Sequence, residues 1–215
     1  EFQGVMTGRS VDRPYLSREA YLGLGIRQSI FTQDERPHVY DLFGKYLAFL
    51  QDNDYYDPNI LSHQYLSLVE PRYDFVVVDE VQDLTTIQLQ LILRSLREPH
   101  QCLLCGDANQ IVHPNFFSWS QLKSFFYQQE GREAPAELMR ILHNNYRNSV
   151  TVTEVANRLL KLKHARFGSV DRESNYLVRS NAETSGTVLL LADTAPITRE
   201  LNQKTRQSTR FAVVV

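Results

Sequence analysis

The sequence predicts an α/β fold built on a parallel sheet, and three observations carry that prediction. Phe75–Val78 is an aromatic and β-branched run with no polar interruption, as expected of a short strand buried on both faces of a parallel sheet. Gln101–Cys105 repeats the pattern as a second short strand. Between them, Thr85-x-x-Gln88 forms a capping box for a helix running to about Leu96, with Ile87, Leu91, Ile92 and Leu96 available to a core. Strand, helix and strand fit one right-handed βαβ unit. Both strands end in polar residues, Asp79-Glu80-Val81-Gln82-Asp83 after the first and Gly106-Asp107 after the second. Open α/β sheets bind their ligands at that end.

Along the chain, residues 1–14 carry Gly4, Gly8 and Pro14 with little periodicity and read as a loose lead-in. From Ser17 to about Leu68 apolar residues recur at three- and four-residue steps, giving helices that pack on each other or on the sheet. The turn Asp52-Asn-Asp-Tyr-Tyr-Asp57-Pro58 interrupts them, with Asp57 as a helix cap and Pro58 in the first turn. Pro99 ends the helix that follows the first strand. Ser118-x-x-Gln121 opens another helix to about Gln129, and Gly131–Pro135 is a polar linker. Leu138–Leu142 reads as a strand, Val150–Leu162 as a helix, Gly168–Gly186 as irregular, Thr187–Leu191 as a strand, Ile197–Lys204 as a helix and Phe211–Val215 as a strand. A chain stopping inside an apolar strand reads as cut rather than finished.

The 215 residues suffice for one large or two small domains. A composition 42% hydrophobic and 22% charged is that of a globular protein, and no apolar stretch approaches the roughly 20 residues of a membrane span. With no signal-peptide core in residues 1–20, the chain reads as intracellular. Its 23 Lys+Arg against 25 Asp+Glu leave net −2, so any nucleic-acid site must be a local patch. Cys102 and Cys105 spell C-x-x-C inside an apolar run without a second pair, which favours buried reduced thiols over zinc.

Asp79, Glu80 and Asp83 repel one another, and no Lys or Arg follows before Arg94. A hard divalent cation such as Mg²⁺ is the natural neutraliser; the alternative is an acidic loop opening a helix. Asp107 stands to support that site and Gln110 to hydrogen-bond a phosphate or orient a water, against an ordinary Gly-Asp turn. Tyr146-Arg147 offers a ring for a base and a guanidinium fork for phosphate, against a structural Tyr and a surface Arg. Phe116, Phe117 and Trp119 are either a stacking platform for single-stranded nucleic acid or core packing. Arg158, Lys161, Lys163, His164 and Arg166 are phosphate contacts or a solvated helix face.

In this order and at these intervals the stretches resemble the UvrD/Rep family of superfamily 1 DNA helicases. Val78–Asp83 is similar to that family's Walker B motif, Leu104–Gln110 to its motif III and Leu142–Ser149 to its motif IV, and Tyr40–Leu61 is weakly similar to the helical segment before Walker B. The resemblance covers most of the chain from about residue 35. It implies partial RecA-like (P-loop NTPase) parallel sheets with helices, preceded by a helical segment. It further implies ATP and Mg²⁺ as cofactors, with Asp79 and Glu80 beside the metal and Glu80 as base for the attacking water. Gln110 becomes a γ-phosphate sensor, Tyr146 a stacking partner of adenine and Arg147 an arginine finger. Single-stranded or partly duplex DNA is the implied partner, with 3′ to 5′ movement.

The sequence departs from the family in three places, one being that the family's later motifs, beyond the strand at Phe211–Val215, are missing. After Gln110 comes Ile111-Val-His113-Pro-Asn-Phe116-Phe117-Ser, with the aromatics displaced and without the family's Arg. Nothing matches G-x-x-x-x-G-K-[ST]; the sole Gly-Lys pair, Gly44-Lys45, is followed by Tyr46. The expectation is therefore an internal piece of a longer ATP-dependent helicase. Residues 1–68 end a helical insertion, 69–134 form the second half of a first RecA-like domain and 135–215 start a second. Such a piece is expected to be inactive alone. Two rival readings remain, a metal-dependent nuclease or phosphohydrolase using Asp79, Glu80 and Asp83, and a non-catalytic helicase-like scaffold.

Overall fold

The computed structural model describes residues 1–98, 100–111, 117–120, 122–123, 139–168 and 175–207. It is a mixed α/β structure with small parallel sheets. The chain divides into two compact units, Glu1–Leu138 with Ser169–Asn175, and Met139–Gly168 with Tyr176–Val215.

The first unit opens with a π-helical turn, Phe2–Thr7, followed by α1 (Arg18–Leu22), α2 (Arg36–Asp52) and α3 (Pro58–Tyr65). Contrary to the expectation of a loose lead-in, Val5 and Met6 are fully buried with Tyr21, Val39 and Phe43. Two apolar residues between glycines show no periodicity, yet they fill an aromatic cup formed by distant residues. Phe43 meets Phe2, Tyr15, Tyr40 and Tyr46 with ring centroids 5.3, 5.6, 5.7 and 6.1 Å apart. Arg36 is buried at the start of α2 and donates to the carbonyls of Leu22, Leu24, Gly25 and Phe31, closing the loop between α1 and α2.

Asp57 caps α3 as expected, its Oδ1 accepting from the amides of Asn59 and Ile60 at 2.8 and 3.1 Å. Its Oδ2 accepts from the Tyr46 hydroxyl at 2.8 Å. Burial first, and this carboxylate second, push the Tyr46 phenol up to about 12; burial first, with the Glu1 carboxylate adding to it, pushes Tyr21 up to about 12. A phenol whose folded value exceeds its ordinary 10.0 contributes stability fully present below pH 10 and lost as pH rises through 12. Tyrosinate absorbance is expected to show two rings ionising near pH 12, together with the loss of α-helical circular dichroism. Ionisation of every tyrosine near pH 10 in a folded chain would contradict this packing.

The sheet follows, as β1 (Val76–Val78), α4 (Thr86–Arg94) and β2 (Cys102–Leu104). The strands pair in parallel, Val76 with Cys102, Val77 with Leu103 and Val78 with Leu104. Val78, Val81, Leu89, Leu93 and Leu96 form the core between sheet and helix. Burial on both faces is not what the structure shows: Phe75, Val77 and Leu103 are 54%, 61% and 51% exposed. The reason is alternation, since α4 covers one face and no described element covers the other. The capping box expected at Thr85 and Gln88 is formed. Gln88 Oε1 accepts from the Thr85 amide at 3.1 Å, while the Thr85 hydroxyl donates to Asn59 Oδ1 at 2.7 Å. Buried Asn59 also donates to the Gln3 carbonyl and the Thr7 hydroxyl, tying the helical segment to the start of α4. Cys102 and Cys105 are free thiols, as expected, but half-buried rather than buried, and partial burial pushes the Cys102 thiol up.

The second unit contains β3 (Asn144–Asn145), α5 (Val150–Phe167), β4 (Arg179–Ser180) and α6 (Ala195–Gln207). β3 and β4 are parallel, Asn144 with Arg179 and Asn145 with Ser180. The strand expected at 138–142 lies instead at 144–145, and residues 187–191 form none; Leu142 and Leu190 are exposed. An apolar run becomes a strand only where an unpaired edge meets it, and here hydrogen bonding selects polar residues. Pro99, Gln121 and the segments 124–138 and 211–215 lie outside the described residues. Among the described residues no helix is long and apolar enough to cross a membrane.

Candidate functional site

Two turns at the carboxyl ends of β1 and β2 are held side by side. The Cys105 amide donates to the Val78 carbonyl at 2.8 Å and the Val81 amide to the Cys105 carbonyl at 2.9 Å, so pairing continues beyond the strands. Between those bonds Asp79 and Glu80 leave the sheet. Glu80 takes the left-handed backbone (φ 52°, ψ 41°), uncommon and strained for a residue with a side chain. Asp79 Oδ1 accepts from its amide at 2.9 Å. Both carboxylates are exposed.

Beneath them Gln82 is 1% exposed. Its Nε2 donates to Glu80 Oε2 at 2.6 Å and its Oε1 accepts from the Asp107 amide at 2.9 Å. Gly106 is required where the turns meet, because a Cβ there would stand 2.5 Å from Gln82 Oε1 and 2.9 Å from Val81 Cγ1. Asp107 organises the second turn, with Oδ1 accepting from the Asn109 amide at 2.8 Å and Oδ2 from Gln110 Nε2 at 2.9 Å. The structure thus brings Asp79, Glu80 and Gln110 into one hydrogen-bonded assembly through Gln82 and Asp107, two residues to which sequence reasoning gave minor roles or none. The signal for Gln82 was present: an amide among three carboxylates, one residue after an apolar Val81, falls on the inner side of the turn.

Among the described residues, no three His, Cys, Asp or Glu side chains converge into a set able to hold a metal ion by themselves. Two adjacent exposed carboxylates still fit Mg²⁺, which binds through one or two carboxylates and completes its shell with water and substrate phosphate. Phe117 and Trp119 stack edge-on, centroids 5.2 Å apart, and pack against the β1–α4 core, the packing alternative for these rings. Phe116 lies outside the described residues.

In the second unit Asn145 Oδ1 accepts from the amides of Arg147 and Asn148 at 2.9 and 3.0 Å. This Asx turn presents Tyr146, 71% exposed, and exposed Arg147. The Tyr146 hydroxyl accepts from Asn181 Nδ2 at 3.2 Å. The first amides of α5 are already bonded, Val150 to the Thr184 carbonyl and Thr151 to the Ser185 carbonyl, so this helix start is satisfied internally.

Residues 28–135, about half of the chain, match the family model described as UvrD/REP helicase N-terminal domain, and that span contains both turns. The chain belongs to the UvrD/REP helicase family. Tyr146 and Arg147 lie beyond the matched span. Among similar proteins, TPR and ankyrin repeat-containing protein 1 of Homo sapiens is 24% identical over 180 residues, 77% of this chain and 6% of that protein. ATP-dependent DNA helicase UvrD2 of Mycobacterium tuberculosis is 29% identical over 97 residues, 45% of this chain and 13% of that protein. This UvrD/REP chain therefore spans only a small part of the relatives it matches.

Proposed function

We propose that this chain forms part of the ATPase centre of an ATP-dependent DNA helicase or translocase moving 3′ to 5′ on single-stranded DNA. The observation that carries the reading is the hydrogen-bonded path from Glu80 through Gln82 and Asp107 to Gln110, at the strand ends of a UvrD/REP helicase chain. Residues 1–68 are read as the end of a helical insertion, 69–134 as the second half of a RecA-like domain and 135–215 as the start of another.

In this reading Asp79, with Glu80 alongside, holds Mg²⁺, which when bound neutralises phosphate charge. Glu80 accepts the proton of the attacking water, and Gln110 hydrogen-bonds the γ-phosphate. Tyr146 stacks on adenine and Arg147 forks onto the γ-phosphate. Since the sequence has no G-x-x-x-x-G-K-[ST] segment, the triphosphate gains no amide cradle from these 215 residues. Turnover is therefore expected only where a longer protein supplies that loop.

The test compares ATP hydrolysis by the full-length protein and by this chain, with and without single-stranded DNA. DNA-stimulated turnover by the full-length protein and none by the chain is the expected result. Turnover by the isolated chain would overturn its assigned inactivity, and DNA cleavage needing metal but no nucleotide would turn the reading to a nuclease. A scaffold without catalysis is the second reading. It is favoured by the same missing segment and by similarity along 77% of the chain to a protein named for its TPR and ankyrin repeats. Absence of turnover in the full-length protein would select it.

A further inference from the structure

We propose that Gln82 is a positioning residue that couples the Glu80 carboxylate to the Gly106–Gln110 turn, so that a change at either end is felt at the other. Its consequence for catalysis rests on the proposed roles of Glu80 and Gln110; the coupling itself does not.

A buried amide must find partners for both its donor and its acceptor, and Gln82 finds them on opposite sides. Nε2 meets a carboxylate oxygen at 2.6 Å and Oε1 meets a backbone N–H at 2.9 Å. Those partners fix its orientation. Turned over, the amide would set oxygen against the Glu80 carboxylate and N–H against the Asp107 N–H, losing both bonds. The space is equally specific, because only a residue without a Cβ at 106 lets the second turn approach Gln82 Oε1. From Asp107 the path continues to Gln110 Nε2 at 2.9 Å. Three hydrogen bonds join four side chains, with one backbone amide as an intermediate donor. Such chains polarise cooperatively, so withdrawing the charge at Glu80 weakens the bond at Asp107. The left-handed backbone of Glu80 and the Asp79 bond to its amide aim the carboxylate into this path.

The test needs no nucleotide or DNA and is made on the ¹⁵N-labelled 215-residue chain. Glu80→Gln replaces the charged acceptor with a neutral amide. It is expected to move the Asp107 backbone amide and the Gln110 side-chain amide resonances, and to leave in place those of residues off the path, such as Asn59. Gln82→Met keeps the volume and removes both bonds; Asp107 amide exchange is expected to rise about tenfold. In that background Glu80→Gln should no longer reach Asp107 or Gln110. A Gln82 that only filled space would leave the response to Glu80→Gln unchanged in the Gln82→Met background, and that result overturns the proposal. Should Gln82→Met not fold, Glu80→Gln alone decides: silence at Asp107 and Gln110 refutes the coupling. Coupling with no ATP turnover in the full-length protein would sink the proposed function and spare this inference; turnover without coupling would do the reverse.

Discussion

Replacing Glu80 with glutamine in the full-length protein is expected to lower DNA-stimulated ATP turnover by about 10²- to 10⁴-fold, the usual contribution of a positioned general base. The substitution is nearly isosteric, and Glu80 is exposed, so the fold should not register it. In the proposed role of Glu80, what changes is the group that would face the attacking water: a carboxylate accepts a proton, an amide does not. The KM for ATP should move little, because the lost interaction belongs to the transition state. Steady-state kinetics with matched circular dichroism would check this. An unchanged kcat would remove Glu80 from the role of base, whereas a raised KM at constant kcat would make it a binding group.

Phe43→Ala is expected to destabilise the first unit by about 3 to 5 kcal/mol, the range for deleting a fully buried phenyl ring. Phe43 is 0% exposed and four aromatic rings surround it, so truncation leaves a cavity that a bundle of short helices cannot close. Two of the neighbours, Phe2 and Tyr15, come from outside α2, so the loss loosens the amino-terminal turn as well as the helix. Phe43→Leu keeps most of the volume and should cost about 1 kcal/mol. Urea unfolding followed by near-ultraviolet circular dichroism would measure both. A loss below about 1 kcal/mol for Phe43→Ala would mean that this aromatic cluster is not the core of the segment.

The helix and strand order around the site was legible because its causes are local. Asp57 bonds amides two and three residues ahead and Gln88 bonds the amide three residues behind, whereas the burial of Val76–Val78 on one face only depended on which elements cover the sheet. The carboxylates at the end of β1 were legible for the same reason, since a strand that stops in charged residues exposes them at its end. Motif order also pointed to the family that residues 28–135 match. Other features had no local cause. Residues 1–14 read as loose because Val5 and Met6 meet their partners through α1 and α2. Residues 187–191 read as a strand because they are apolar, yet the pairing went to Arg179–Ser180.

The sequence by itself determined the kinds of groups at the paired turns: two carboxylates after one strand and a Gly-Asp turn with an amide after the next. Only the tertiary structure decided that Gln82 would hold the two together, across 25 residues of chain, with Gly106 giving way for it. The physical reason is that chemical type and short-range spacing are written residue by residue. A buried polar side chain, by contrast, takes its partners from whichever groups the sheet register carries within hydrogen-bonding distance.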